Sequence, residues 1–335
     1  MNIKYNRRKG GEYVTDTSVR ERLVILHTND IHSFFEQMPK IATAFRERTA
    51  LHGAEHVLKL DIGDHLDRVR QETEGSEGRA NIEIMNATGY EFVVLGNNEG
   101  LTFTPQWLEN LYRPQANFEV IGSNIFDAEG HVPSWMIANR IVSKKELRIG
   151  LIGVTASYNA FYSLLGWHVA EPLEVVARHV AELRSAVDVL VVMSHLGLAT
   201  DQQMAQEIPG IDCILGGHTH HLLEQPLRIG DTYICAAGKF GYQIGELEFV
   251  FGTTEDGQRR IEEVNGRTIA VADYPADEEV HRIWQAHKKQ SHEALQFSVA
   301  QVPRALRNDW YRESELGNLL AQTIRSWTHA EIALV

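Results

Sequence analysis

Positive charge is scarce in this chain. Its 335 residues carry a formal net charge of -13 with histidine neutral. That deficit argues against a nucleic-acid backbone or an anionic membrane as the main partner, since both select basic surfaces. A small anionic substrate needs only local positive charge, which a bound divalent cation can supply. Cysteine is scarce too. Cys213 and Cys235 lie in apolar runs that read as strands, and buried thiols are expected there rather than a disulfide. No hydrophobic run is long enough to span a bilayer. The first residues, MNIKYNRRKGGEYVTDTSVRER, lack the apolar segment of a secretion signal. Residues 1–20 therefore read as a loose tail, and a cytoplasmic location is expected. Internal repeats and low-complexity segments are also missing.

What is present is a large core. Hydrophobic residues make up 43% of the chain, and the length allows one large domain or two smaller ones. Apolar β-rich runs alternate with helical patterns. Strands are predicted at Leu23 to Leu26, Val57 to Leu60, Phe92 to Leu95, Leu147 to Val154, Val189 to Met193 and Ile211 to Leu215. Helices are predicted at Met38 to Leu51, Arg79 to Ala87 and Pro172 to Ala186, the last with proline at its start. Near-continuous apolar strands separated by helices predict a buried sheet of βαβ units. The later runs TYICAA and ELEFVF read as antiparallel, so a mixed or two-sheet core is expected. After Asp273 the chain turns polar. Pro275 to Phe297 reads as a connecting helix, and the run to Val335 ends on a strand-like segment.

The polar residues fall where the strands end. Asn29, Asp30 and His32 follow the first strand. Gly63, Asp64, His65, Asp67 and Arg68 follow the second, and Asn97 and Asn98 the third. His195 follows VLVVM, and His218, His220 and His221 follow CILGG. Ligands of open α/β sheets bind at the carboxyl ends of the strands, so these five clusters converge if the strands share one sheet. Asp, His and Asn without Cys suit Mn, Zn or Fe as divalent ions. Seven candidate ligands exceed the need of one ion. Two ions sharing a bridging carboxylate, roughly 3.5–4 Å apart, would use them all and clamp a phosphoryl displacement.

These motifs resemble the calcineurin-like metallophosphoesterases, and within them the bacterial 5'-nucleotidase family. The resemblance rests on LHTNDIH, LDIGD, VVLGN, VVMSHLG, ILGGHTHH and AAGKFGYQIG, which together span most of residues 23 to 251. It implies a four-layer α/β/β/α sandwich with mixed sheets. It implies that Asp30, His32 and His220 hold one metal ion, that Asn97, His195 and His218 hold the other, and that Asp64 bridges them. His27 and Asn29 belong to the motif in supporting roles. The implied chemistry is direct hydrolysis of a small phosphoester, a nucleotide by preference, by a hydroxide bridging the metals, with no covalent enzyme intermediate. The substrate is a 5'-nucleotide, a nucleotide sugar or a cyclic nucleotide, and the residues do not separate these.

One position departs from the pattern. The family reads Gly-Asn-His where this chain reads Gly96-Asn97-Asn98. The missing histidine implies lost help for the leaving group, and such help is worth roughly 10²–10⁴-fold. An amide can donate a hydrogen bond to a phosphate oxygen but cannot carry a proton in flight. Three readings stay open: His65 takes over, the substrate has a good leaving group, or the site binds a nucleotide without turnover. Arg68 matches the arginine of the GDxxDR element of related phosphatases, which contacts phosphate, or else it pairs with Asp67 or Glu72. Glu99 is placed to orient Asn98 or His65. His221 reads as structural, and His52 and His56 as facing solvent.

The expected organisation is a tail at 1–20, a catalytic domain at 21–272, a connecting helix at 273–297 and the start of a C-terminal domain at 298–335. Leu316-Gly317-Asn318 and Ile332 to Val335 resemble the opening of the family's C-terminal domain. The resemblance places the aromatic base pocket of that domain past Val335 and implies a longer parent protein.

Overall fold

The computed structural model describes residues 21–254 and 258–335; the predicted N-terminal tail, 1–20, lies outside the described residues. The described residues divide into two compact units, one ending at Glu293 and the other spanning Ala294–Val335.

The first unit holds two large sheets. In one, seven strands lie in the order Arg259–Ala270, Gln243–Thr253, Glu21–Thr28, Val57–Asp61, Phe92–Val93, Glu119–Ile121 and Met136–Ile137. Its last five strands are parallel, and the first two run antiparallel at one edge. The second sheet has six strands, Leu227–Ile229, Thr232–Cys235, Cys213–Gly216, Val189–His195, Leu147–Thr155 and Asn139–Lys144. Its four central strands are parallel and its two edges antiparallel.

Side-chain alternation along the strands explains the stacking, since successive residues face opposite sides of a sheet. Leu23, Ile25, Leu58 and Leu60 pack in one cluster with Val189, Val191, Met193 and Cys213 of the other sheet. Val24 and Leu26 point the opposite way, into a cluster with Ile41, Phe45, Ile82, Met85 and Leu108 from helices Met38–His52, Arg79–Thr88 and Pro105–Gln115. On the far side, Leu190 and Val192 meet Val176, Val180 and Met204 from helices Pro172–Leu183 and Leu198–Glu207. The layers are thus helix, sheet, sheet, helix. Each of these fully buried aliphatic side chains contributes about 1.5–3 kcal/mol. Both cysteines are buried and free, packed between the sheets.

The helix starts follow from sequence. Pro39 and Pro172 occupy first-turn positions that need no N–H. Thr104 caps Pro105–Gln115 by accepting from Trp107 N at 3.2 Å. The strands that end in polar clusters are shared between the two sheets of the expected sandwich. Two expectations need correction. Phe92 to Leu95 is ladder-paired only at Phe92–Val93. Thr232–Cys235 is antiparallel to one neighbour but parallel to Cys213–Gly216.

The polar helix Glu278–Ala294 is more than a spacer. It buries Val280 and Trp284, and Trp284 Nε1 donates to Glu72 Oε1 at 3.1 Å. Residues 294–335 carry one helix, Glu315–Thr328, capped by Ser314 Oγ, which accepts from Gly317 N at 3.2 Å. Ile332 to Val335 pair with no strand among the described residues, so the predicted final strand is not formed. Among the described residues no helix is long and apolar enough to cross a membrane.

Candidate metal centre

The two sheets present the carboxyl ends of their parallel strands to one place. Asp30 and His32 follow Thr28, Asp64 follows Asp61, His195 closes its strand, and His218 and His220 follow Gly216. Backbone hydrogen bonds lace the first two loops together: Asp30 N donates to Gly63 O at 2.9 Å and His32 N to Asp64 O at 2.8 Å. Five of these residues have left-handed backbones, with φ of 52° at Asp30, 49° at His32, 53° at Asp64, 73° at His218 and 57° at His220. Non-glycine residues in that region cost of the order of 1–3 kcal/mol each and persist where the surroundings over-determine them. Here the strain turns five side chains inward.

Two groups result. Asp30, His32 and His220 form one, and Asp64, His195 and His218 the other, with the donor atoms of each group within 4.8 Å of one another. In the first, His32 Nε2 lies 3.1 Å from His220 Nε2 and 3.8 Å from Asp30 Oδ1, and His220 Nε2 lies 3.5 Å from Asp30 Oδ1. Ligands at about 2.0–2.2 Å from one cation stand roughly 3.0–3.6 Å from each other, so the spacing fits a coordinated ion. Asp64 Oδ2 lies 3.3 Å from His195 Nε2 and 3.9 Å from His32 Nε2, between the groups. Asn97 Oδ1 lies 2.7 Å from His218 Nδ1.

The histidines are aimed. His195 Nδ1 faces the carbonyl of Ile62 at 2.7 Å, and its buried Nε2 has no hydrogen-bond partner. A fully buried ring nitrogen that faces only carboxylates, Asp64 Oδ2 at 3.3 Å and Asp30 Oδ1 at 4.0 Å, is the mark of a site built for a cation. Burial opposes charge on His195, but the Asp64 and Asp30 carboxylates outweigh it and raise its pKa to about 10. Burial likewise opposes ionisation of Asp64, yet the facing His195 holds its carboxyl at about 2. These are one attraction seen from both partners: the carboxylates demand positive charge. His218 and His220 are lowered, chiefly by burial, and so stay neutral, the form that binds metal.

Supporting residues hold this arrangement. Asn29 Nδ2 donates to Asp30 Oδ2 at 2.7 Å and to Gly238 O at 2.6 Å. Buried Glu99 accepts from the backbone amides of Asp64, Leu66 and Gly96 at 3.1, 2.9 and 2.9 Å. It orders the loop rather than orienting Asn98 or His65. Burial and the nearby Asp64 push its carboxyl up to about 7. Asn98 sits among the ligands: its amide N donates to Asp64 Oδ1 at 2.8 Å, and its side-chain nitrogen lies 2.9 Å from His32 Nδ1 and 3.2 Å from Asp67 Oδ2.

Two candidates fall elsewhere. His65 is 1% exposed, with Nδ1 against Asn81 Nδ2 at 3.3 Å and its ring edge-on to Tyr90. Burial lowers its pKa to about 3. A neutral, enclosed imidazole cannot hand a proton to a leaving group. Arg68 pairs with Glu74 at 2.6 and 2.8 Å and lies over Phe103; its partner is neither Asp67 nor Glu72. His52 and His56 are half-buried, on Glu246 and on the carbonyl of Arg22. Sequence reasoning missed Tyr158, whose hydroxyl lies 2.8 Å from His218 Nε2. It follows the strand Leu147–Thr155, so the strand-end rule applied there would have found it.

Residues 23–222 match the family model of the calcineurin-like phosphoesterases. The chain is similar to the uncharacterised metallophosphoesterase YunD of Bacillus subtilis, 36% identical over 95% of this chain and 69% of that protein. It is similar to the human 5'-nucleotidase, 28% identical over 60% of this chain and 38% of that protein. In structure it resembles a 5'-nucleotidase precursor from Thermus thermophilus, with a TM-score of 0.71 and 22% identity over 92% of this chain and 67% of that one. With the match covering more than half its length, this chain belongs to the calcineurin-like phosphoesterases, a family of metal-dependent phosphoester hydrolases.

Proposed function

We propose that the chain is a two-metal phosphohydrolase acting on nucleotides or related phosphoesters. The observation that carries this reading is the position of Asp64 between two groups of donor atoms, 3.3 Å from His195 and 3.9 Å from His32. In this reading Asp30, His32 and His220 hold one divalent ion, Asn97, His195 and His218 the other, and Asp64 both. Nucleotide preference is carried over from relatives that are 5'-nucleotidases. The bound pair supplies the charge that neutralises phosphoryl oxygens and lowers the pKa of the attacking water.

The protein's own residues do the rest. Left-handed backbones fix the donor atoms before any ligand arrives, so little reorganisation is needed. The Asn98 side chain, at the rim beside His32 and Asp67, can donate to a phosphoryl oxygen. It cannot protonate a leaving group, and buried His65 does not replace it. The proposal therefore favours substrates with good leaving groups, such as pyrophosphate bonds. The same observation favours a second reading, in which the site binds a nucleotide and turns it over slowly or not at all.

Phosphate release with Mn²⁺, measured on adenosine 5'-monophosphate, a nucleotide sugar and a cyclic nucleotide, tests the proposal. Turnover by the wild type that is abolished in Asp64→Asn, with unchanged melting of the metal-free proteins, supports the hydrolase. Nucleotide binding with no release from any of the three favours the second reading.

A further inference from the structure

The segment between the strands Thr232–Cys235 and Gln243–Thr253 contains Gly238, Lys239, Phe240, Gly241 and Tyr242. It is fastened to the metal centre. Asn29 accepts from Ala237 N at 2.8 Å and donates to Gly238 O at 2.6 Å, while Phe240 N donates to Asp30 O at 2.8 Å. Phe240 has φ of 61°, the left-handed region that bulky side chains avoid and that is held at functional sites. Gly241 follows at 67°, and a Cβ there would meet Ile41 Cδ1 at 2.7 Å, so the turn has no slack. The strained turn sets the Phe240 ring edge-on to His32, centroids 5.8 Å apart.

Phe240 is not alone. Phe34 lies 5.3 Å from it and 5.6 Å from Tyr242, which is 52% exposed. Lys239 is exposed, with Nζ 4.8 Å over the Phe240 ring, and it makes no ion pair among the described residues. Phe34 and Phe240 are half-buried, and the Arg70 guanidinium lies 5.5 Å over the Phe34 ring. The three rings gather at the edge of a cluster of cation ligands, with an unneutralised ammonium beside them.

We propose that Phe34, Phe240 and Tyr242, with Lys239, form a subsite of the catalytic unit that takes the planar ring of an anionic phosphoester, a nucleobase being the chemical class that fits. The rings supply stacking faces, which tolerate any base. Lys239 supplies a mobile positive charge for the phosphate side of the ligand. The subsite rests on the phosphohydrolase reading for the phosphate end alone. Its residues all lie within the first unit, so it is distinct from a base pocket in a C-terminal domain.

Binding of adenosine 5'-monophosphate and of ribose 5-phosphate to the metal-loaded full chain tests it, because the two differ only by the base. The wild type binds the nucleotide more tightly. Tyr242→Ala, at an exposed position, and Phe240→Leu each reduce that preference about tenfold, the scale of one lost stacking contact. Tyr242→Ala decides the matter if Phe240→Leu disturbs the fold. A wild type with no preference for the nucleotide, or a preference unchanged in Tyr242→Ala, overturns the subsite. Absence of phosphate release from either compound, with the tenfold effect intact, overturns the hydrolase reading and leaves the subsite standing.

Discussion

The hydroxyl of Tyr158 lies 2.8 Å from Nε2 of His218, while Nδ1 of the same ring faces Asn97 Oδ1 at 2.7 Å. If Nδ1 is the face turned to a cation, the ring proton sits on Nε2 and Tyr158 accepts it. Removing such a partner typically weakens metal binding about 10–100-fold. Tyr158→Phe is therefore expected to lower metal affinity by that factor, read by chelator competition, without changing the melting of the metal-free protein. Unchanged affinity would show that Tyr158 does not fix the ring.

A second relationship concerns stability. His27 is fully buried on the strand Glu21–Thr28, packed on Gly245 of the neighbouring strand so closely that a Cβ there would collide with the ring. Its Nδ1 has no hydrogen-bond partner, and burial lowers its pKa from 6.5 to about 4. The unfolded chain takes up this proton first. The contribution is thus complete above pH 6.5, is lost as pH falls from 6.5 to about 4, and declines no further below that. Over the whole window the loss approaches about 3 kcal/mol. Urea unfolding at several pH values should show a flatter acid limb for His27→Leu than for the wild type. Parallel curves would contradict the assignment.

A third prediction concerns Asn98. Its side chain stands 3.2 Å from Asp67 Oδ2, a carboxylate that would favour the charged form of a histidine placed there. Asn98→His is expected to raise turnover of adenosine 5'-monophosphate about a hundredfold. The gain on p-nitrophenyl phosphate, whose leaving group needs no proton, should be much smaller. Equal rates on the monoester before and after substitution would remove this account of the position.

Much of this architecture was legible in the chain. Continuous apolar runs such as VLVVM can only be buried on both faces, so the strands and the polar residues at their ends followed. The assignment of strands to sheets did not follow, because Leu23 and Val191 look alike in sequence whether they share a sheet or face each other across two. Ring direction was equally hidden: His65 follows Asp64 directly, yet Asn81 and Tyr90, distant in sequence, decide that it points inward. Glu99 reads as a residue that orients Asn98 or His65 until its three amide partners, Asp64 and Leu66 from one loop and Gly96 from another, are seen. Phe240 carries no periodic signal because it lies in a left-handed turn between strands, outside any helix or strand.

The central claim is that Asp64 serves two cations at once. Elemental analysis of the purified, dialysed protein tests it most directly. The account predicts two divalent ions per wild-type chain and at most one in Asp64→Asn. A single ion in the wild type, or two retained by the variant, would contradict it.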